Sequence, residues 1–366
     1  APARAGPRRC ADAVGEALAL GAPAGELAAA DVARHLAFTP EDALAIEEDM
    51  LELVRRPPFT ESLEAFTHRH AQLQRLRRFT SSTGARRQVE SAYAERLARK
   101  PDDLPSLRRR AEILERWGES DRALEDRRRL SEARPDLLPW RRAHAIALSR
   151  SGDGDAAVRM LEQALGDPTI DDRLKAEVDI DLGGLHEAAG QPGDAAARYR
   201  RAAERDPGNP LPPFNLAMLA AQRGQLQRAV DGFEALTRSH PAFYLAWQNL
   251  GVAHEKRGHF DAAEAAYRAE MEARPDAPGG PYRLGTLLVA RGRVDEAGDA
   301  FKEALRRRAD HAPSYFRLAD IALAGDRAED AVPLYRLGLR FRPRDVDARR
   351  GLERATARLE GAEAPP

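Results

Sequence analysis

Residues 246–276 read AWQNLGVAHEKRGHFDAAEAAYRAEMEARPD, two amphipathic runs separated by the short break KRGHFD. Apolar residues recur at helical spacing in both runs, so each run is predicted to form a helix. Gly258 in the break and Pro275 at the end are typical helix stops. A hairpin of this length has too little apolar surface to fold alone. It must therefore pack against another part of the chain.

The same pattern recurs before and after this stretch at a spacing of 34 residues. The preceding copy is PFNLAMLAAQRGQLQRAVDGFEALTRSHP (213–241), and the next two begin PYRLGTLLVARG (281–292) and SYFRLADIALAGD (314–326). Small residues mark the first helix at Ala217, Gly251, Gly285 and Ala319. The second helix carries an alanine and then an aromatic residue: Ala229 and Phe233, Ala263 and Tyr267, Ala297 and Phe301, Ala331 and Tyr335. Recurrence in register indicates a repeat protein.

These markers resemble the tetratricopeptide repeat (TPR) family, whose period is 34 residues. The match is closest at Trp247, Leu250, Gly251, Ala263, Tyr267 and Pro275. His254 stands where the family usually has a tyrosine, and we expect a core histidine with a hydrogen-bonded ring. The resemblance implies an all-α solenoid, a right-handed superhelix of helix-turn-helix TPR units with about 18 to 20 helices.

Three regions are expected along the chain. Residues 104–345 hold seven TPR units, beginning near Leu104, Leu138, Ala176, Pro210, Tyr244, Pro278 and Ala312. Residues 346–366 form a C-terminal capping helix over 346–360 and a disordered tail. Residues 1–103 form a helical N-terminal cap region, with a degenerate eighth unit at 70–103 that has Gly84 at its turn and Tyr93 in its second helix.

The small residues of the first helices predict a close helix crossing. Gly251 and Ala263 mark this crossing in the opening stretch, and a larger side chain would force the two helices apart. We therefore expect Gly251→Leu to destabilise the array by roughly 1–3 kcal/mol or more.

Composition argues against several classes of protein. The net charge of -1 disfavours a globally basic nucleic-acid binder, so no nucleic-acid partner is expected. No apolar run approaches the roughly 20 residues of a transmembrane helix. Cys10 is the only cysteine, which excludes an internal disulfide and a cysteine-based metal site. The start at Ala1 favours slightly an exported, periplasmic chain after signal-peptide removal, with a cytoplasmic chain as the alternative.

No catalytic motif is found in the sequence. There is no phosphate-binding glycine loop, no Gly-x-Ser-x-Gly turn and no His-Glu-x-x-His helix. The closest histidines, His68 and His70, are two residues apart and would point to different sides of a helix. We expect a protein without catalytic residues, bound metal or cofactor.

The N-terminal region has an uneven charge distribution. Residues 26–52 contain eight acids and a single arginine, and residues 69–87 contain six arginines and no acid. Either the two segments pair with each other or are simply hydrated, or the arginines form a docking patch for an acidic partner, RNA or anionic lipid.

In the TPR family the first helices line a concave groove that binds a peptide or a helix of a partner protein. By register, one groove row in this sequence is Asn215, Asn249, Arg283 and Arg317, and the row beside it is Phe214, Gln248, Tyr282 and Phe316. The asparagines match the place where some TPR proteins hold a peptide backbone; alternatively, they only tie neighbouring helices. The lysine set that other members use for a C-terminal carboxylate is absent.

The sequence therefore predicts a non-enzymatic protein–protein interaction scaffold, a subunit of a larger assembly with a protein or peptide partner. Asn249→Ala combined with Arg283→Ala is expected to weaken binding about tenfold or more and leave the fold intact. The alternative is a regulatory or docking module of an enzyme system in which residues 1–103 are the functional part. Partner binding by residues 104–366 alone would separate the two.

Overall fold

The computed structural model describes residues 83–362, with side chains described from 89 to 361. All sixteen secondary-structure elements in this part are α-helices, and the predicted all-α solenoid of helix-turn-helix repeats is confirmed. By its contacts the chain divides into an N-terminal unit, residues 1–166, and a C-terminal unit, residues 167–366. The predictions for Cys10, His68, His70 and the charged segments 26–52 and 69–87 lie outside the described side chains.

The described part of the N-terminal unit contains one single helix followed by two helix pairs. Its helices are α1 (Thr83–Arg99), α2 (Leu104–Trp117), α3 (Ser120–Ala133), α4 (Leu138–Arg150) and α5 (Gly154–Leu165). Tyr93 of α1 is buried against Ile113 of α2. Gly84 belongs to the first turn of α1 instead of a turn between helices. The first helix of the proposed eighth unit lies outside the described residues, so that unit stays a prediction.

The described part of the C-terminal unit contains five helix pairs and a final single helix. Its helices are α6 (Asp172–Ala188), α7 (Pro192–Arg205), α8 (Leu211–Gln222), α9 (Leu226–Ser239), α10 (Tyr244–Lys256), α11 (Phe260–Ala273), α12 (Gly279–Ala290), α13 (Val294–Arg307), α14 (Ala312–Ala324), α15 (Ala328–Phe341) and α16 (Val346–Ala362). The two helices of each pair pack on each other, and the second helix of a pair packs on the first helix of the next. The result is a continuous stack with a core shared between neighbours.

The aromatic residues of the second helices form the centre of each pair. Tyr199, Phe233, Tyr267, Phe301 and Tyr335 are all at most 2% exposed. Where the first helix has a glycine, the ring lies directly against it: a Cβ at Gly183, Gly251 or Gly285 would lie 2.3, 2.4 or 2.7 Å from the nearest atom of the ring.

The turn inside each repeat requires a left-handed backbone. Gly258 has φ +75°, and glycine adopts this conformation without steric cost. Asp326 takes the same conformation with φ +61° in the last turn, where short polar residues such as aspartate are tolerated. The turn position therefore fixes the backbone conformation, and glycine is only its commonest occupant.

Helix α6 begins four residues before the predicted start of its repeat near Ala176. The carboxylate of Asp171 accepts a hydrogen bond of 2.8 Å from the backbone N–H of Leu174, which caps the helix at Asp172. The repeat that begins near Leu138 is four residues longer than the others, and its extra residues, around 168–172, divide between the loop and an extra first turn of α6.

Helix α16 covers the apolar face of the last pair. Ala348 and Ala355 are buried against a cluster that includes Tyr335, with Leu352 and Leu359 packed at its edge. The helix continues through Gly361 to Ala362, two residues into the segment that was expected to be disordered. By covering an otherwise exposed apolar face, α16 acts as a C-terminal cap.

We expect His311, in the turn between α13 and α14, to make the fold sensitive to acid. Burial, together with Arg308 and Arg342, lowers the pKa of His311 to about 4 from its ordinary value of 6.5. The unfolded chain takes up a proton at this ring as the pH falls below 6.5, but the folded chain does not until about pH 4, so stability is lost across this window. His311→Gln should therefore show a smaller drop in its urea midpoint between pH 7 and pH 4.5 than the parent. An equal drop in both proteins would contradict this role.

Candidate functional site

The eight residues predicted to contact a partner lie on the first helices of four consecutive pairs in the C-terminal unit. Phe214 and Asn215 are on α8, Gln248 and Asn249 on α10, Tyr282 and Arg283 on α12, and Phe316 and Arg317 on α14. Helices α8 and α10 also contact each other directly, so these two first helices are neighbours. Arg317 is exposed and the other seven residues are partly buried.

The amide side chains of this row retain unused hydrogen-bonding groups. Asn249 donates from Nδ2 to the carbonyl of Leu245 in its own helix at 2.8 Å, while its Oδ1 has no partner among the described residues. The side chains of Asn215 and Gln248 make no hydrogen bond to the described part of the chain. An amide can donate and accept at once, so these groups can pair with a peptide backbone.

Arg283 is already engaged by the fold. Its Nη1 lies 2.9 Å from Oε1 of Glu270 on α11, and the Glu270 side chain is only 4% exposed. Burial raises the pKa of Glu270, while Arg283 and Arg274 oppose this change. A Cβ at Gly279 would lie 2.8 Å from the same nitrogen, so glycine makes room for the pair. Contrary to the expectation from the sequence, we now predict that Arg283→Ala lowers stability, because the substitution would leave a buried carboxylate without its cation.

Arg317 occupies the same repeat position as Arg283 but has no comparable partner. Its side chain is 45% exposed, and the nearest carboxylate oxygen, on Asp320, lies 3.7 Å away. That carboxylate also accepts a hydrogen bond from the hydroxyl of Tyr335. Arg317 is therefore the arginine of the row that can reach a partner.

The three aromatic residues of the second row pack between helices. Phe214 lies with its ring centroid 5.8 Å from that of Phe233 and 5.4 Å from that of Phe243. The ring centroid of Tyr282 lies 5.7 Å from that of Phe301. Phe316 lies against Gly338, where a Cβ would meet its ring. Only the exposed edges of these rings are available, and their use by a partner stays a prediction.

His254 is buried, but its ring is not hydrogen-bonded as the sequence suggested. Its Nδ1 has no partner among the described residues, and its Nε2 is 3.9 Å from a carboxylate oxygen of Glu234. Burial lowers the pKa of His254, which keeps the ring neutral. The ring stacks on His259 with 5.9 Å between centroids.

Within residues 83–362 no group of three or more histidine, cysteine, aspartate or glutamate side chains is placed to hold a metal ion. Among the same helices, none combines the length and apolar character needed to cross a bilayer.

A cavity of ≈ 410 Å³ lies between α7, α8 and α9, and it was missed in the sequence. None of the eight predicted residues lines it. The sequence contained an indication of this cavity. This repeat has the small residues Pro213 and Ala220 at two positions where other repeats have at least one larger side chain.

The comparisons with known proteins agree with this architecture. A family model described as Tetratricopeptide repeat matches residues 142–210, 214–278 and 282–346, more than half of the chain. Curated protein sequences give no match.

Several solved structures are similar to this chain. Yeast Tom70 has a TM-score of 0.57 at 16% identity, over 88% of this chain and 64% of that chain. MamA from Desulfovibrio magneticus RS-1 has a TM-score of 0.40 at 19% identity, over 46% of this chain and 97% of its own. YrrB, described as a TPR protein with an unusual peptide-binding site, has a TM-score of 0.40 at 18% identity, over 53% and 97%.

At 16% identity the likeness to Tom70 shows the fold alone. The family model, in contrast, covers repeats whose small and aromatic markers meet at the helix crossings described above. This chain belongs to the tetratricopeptide repeat family.

Proposed function

We propose that this protein is a non-enzymatic scaffold that binds a peptide or helix of a partner protein on the first-helix face of its C-terminal unit, as a subunit of a larger assembly. Proteins of the TPR family generally mediate protein–protein interactions. The observation that carries the finer proposal is the set of amides on neighbouring first helices, Asn215, Gln248 and Asn249, each of which keeps at least one hydrogen-bonding group without a partner among the described residues.

The chemistry of this face suits a peptide backbone. Each amide offers both a donor and an acceptor, as a backbone requires. Each such hydrogen bond, once buried by the partner, costs about 1–3 kcal/mol when one side is removed. Arg317 adds an exposed cation that favours an acidic side chain or a free carboxylate.

Asn215→Ala combined with Asn249→Ala is expected to weaken partner binding about tenfold or more, because two backbone contacts are lost. Neither amide is needed by the fold, since Asn215 has no side-chain partner among the described residues and Asn249 bonds only within its own helix. The partner would be captured with tagged full-length protein, identified by mass spectrometry and then titrated against parent and variant.

Gln227→Ala is the matched control. This amide lies on a second helix, α9, and bonds to Asp231 on the same helix. It should leave partner binding unchanged. If the double asparagine variant binds the purified partner as tightly as the parent, the first-helix face is not the binding site.

A further inference from the structure

The cavity between α7, α8 and α9 is walled mainly by small and apolar residues. Its lining includes Pro213, Ala217 and Ala220 of α8 and Gly232 and Leu236 of α9. It lies wholly within the C-terminal unit, and it shares no residue with the amide row of the first helices.

At two positions that line the cavity, this repeat lacks a bulky side chain that each of the following repeats carries. The residues that correspond to Pro213 and Ala220 are Trp247 and His254 in the next repeat, Pro281 and Leu288 in the one after it, and Tyr315 and Ala322 in the last. Each of those repeats has at least one bulky residue of the two, and Leu288 is only 2% exposed. The pair α8–α9 therefore has unfilled space where its neighbours have packed side chains.

Three arginines surround this space without a carboxylate to neutralise them. Arg200 lies on α7, Arg223 in the turn after α8 and Arg228 on α9, and all three are exposed. Arg228 bonds only to the neutral amide of Gln225 at 3.1 Å, and within residues 83–362 none of the three forms an ion pair.

Two other arginines in the same unit are neutralised. Arg291 and Arg293 both contact the buried carboxylate of Glu264. The cavity is therefore an apolar depression with an uncompensated positive rim.

We propose that this cavity is a docking site for an acidic amphipathic segment of a partner protein. An apolar side chain of the segment fills the space beside Ala220, and its carboxylates pair with Arg200, Arg223 and Arg228. Charge complementarity selects an acidic occupant, because each arginine can form charge-assisted hydrogen bonds with a carboxylate. The arginines come from three different elements, so a single carboxylate does not satisfy them all.

A protein segment fits the shape of the site better than a small molecule does. Small-molecule sites generally bury 70–90% or more of the ligand surface. This cavity opens to solvent at a rim where three charged side chains are exposed. An amphipathic helix or peptide buries one face in such a groove and leaves the other in water.

The test uses the full-length protein and a fluorescein-labelled synthetic peptide of Leu-Leu-Glu-Glu repeats, measured by fluorescence anisotropy. Two comparison peptides separate the contributions: Leu-Leu-Lys-Lys repeats reverse the charge, and Ser-Ser-Glu-Glu repeats remove the apolar side chains. We expect both comparison peptides to bind at least tenfold more weakly than the acidic leucine peptide. Equal binding of the serine peptide would show that charge alone attracts the probe and would overturn the docking site.

Two variants address the cavity itself. Ala220→Leu fills it with the residue that the α12 repeat carries as Leu288, and Arg200→Glu with Arg223→Glu reverses the rim charge. Each should lower the affinity for the acidic leucine peptide at least tenfold. Arg336→Glu is the matched control, because Arg336 is exposed on α15 at the same repeat position as Arg200 and lies outside the cavity. An Ala220→Leu protein with parental circular dichroism and parental affinity would overturn the proposal.

The amide row on the first helices is tested separately with the same peptide. Asn215→Ala with Asn249→Ala should bind it as the parent does, and loss of binding in that variant would place the peptide on the first-helix face instead. The remaining alternative is that a second copy of the chain occupies the cavity. Sedimentation showing a dimer that Ala220→Leu dissociates would assign the cavity to self-association and overturn the partner site.

Discussion

Gly251→Leu is expected to lower the free energy of unfolding by about 3 kcal/mol, in the upper part of the range for overpacking. Even a Cβ at this position would lie 2.4 Å from Cε1 of Tyr267. The tyrosine cannot move aside easily, because its ring is 1% exposed and its hydroxyl donates a hydrogen bond to Glu255. The urea midpoint of full-length protein measures the effect, and an unchanged midpoint would show that the crossing is not tight.

Two adjacent glycines of α6 provide an internal control for this argument. A Cβ at Gly183 would lie 2.3 Å from the Tyr199 ring, whereas a Cβ at Gly184 would have nothing within 4 Å. Gly183→Ala should therefore lower the urea midpoint. Gly184→Ala should raise stability by about 1 kcal/mol through its better helix propensity. A stabilising effect of both substitutions would refute the close crossing.

The second large effect is expected for Arg283→Ala, at about 3 kcal/mol of lost stability. This is the lower end of the range for removing one partner of a buried ion pair, because Arg283 itself remains 30% exposed. The loss arises from Glu270, whose Oε2 already lacks a partner among the described residues and whose Oε1 would lose its cation.

A second substitution should reverse this loss. Ala202 and Ala304 stand at the repeat position of Glu270 and are fully buried, so alanine fits there. Arg283→Ala with Glu270→Ala should therefore recover most of the stability. Arg317→Ala is the matched control, one repeat further along and solvent-exposed, and should leave the urea midpoint unchanged. Equal effects of Arg283→Ala and Arg317→Ala would show that the ion pair contributes nothing.

The fold was predictable because the same residues of the close helix crossing recur in each repeat. A glycine or alanine opposite an aromatic ring, as at Gly251 and Tyr267, indicates that the two helices cross closely at that position. The start of α6 was less predictable, because its place depends on a single capping carboxylate, that of Asp171.

The positions of the candidate site residues were predictable from the sequence, but their ion pairs were not. The repeat register places Asn249, Arg283 and Arg317 in one row. It does not show that Arg283 forms an ion pair with Glu270, which lies on a different helix. Whether an arginine of this row forms an ion pair depends on the residue that the neighbouring repeat places beside it. Glu270 stands at a position where two other repeats have alanine, at Ala202 and Ala304. The cavity beside Ala220 required a comparison of residue sizes between repeats instead of a search for motifs.

The neighbour-only packing of the C-terminal unit also has a kinetic consequence. Its main contacts join helices of one pair or of adjacent pairs, so contacting residues are separated by about one repeat along the chain. Closing such short loops costs little entropy, and chains dominated by local contacts fold rapidly. Any helix pair can fold first, and the adjacent pairs can then pack on it. Folding of the unit therefore does not have to begin at one particular end.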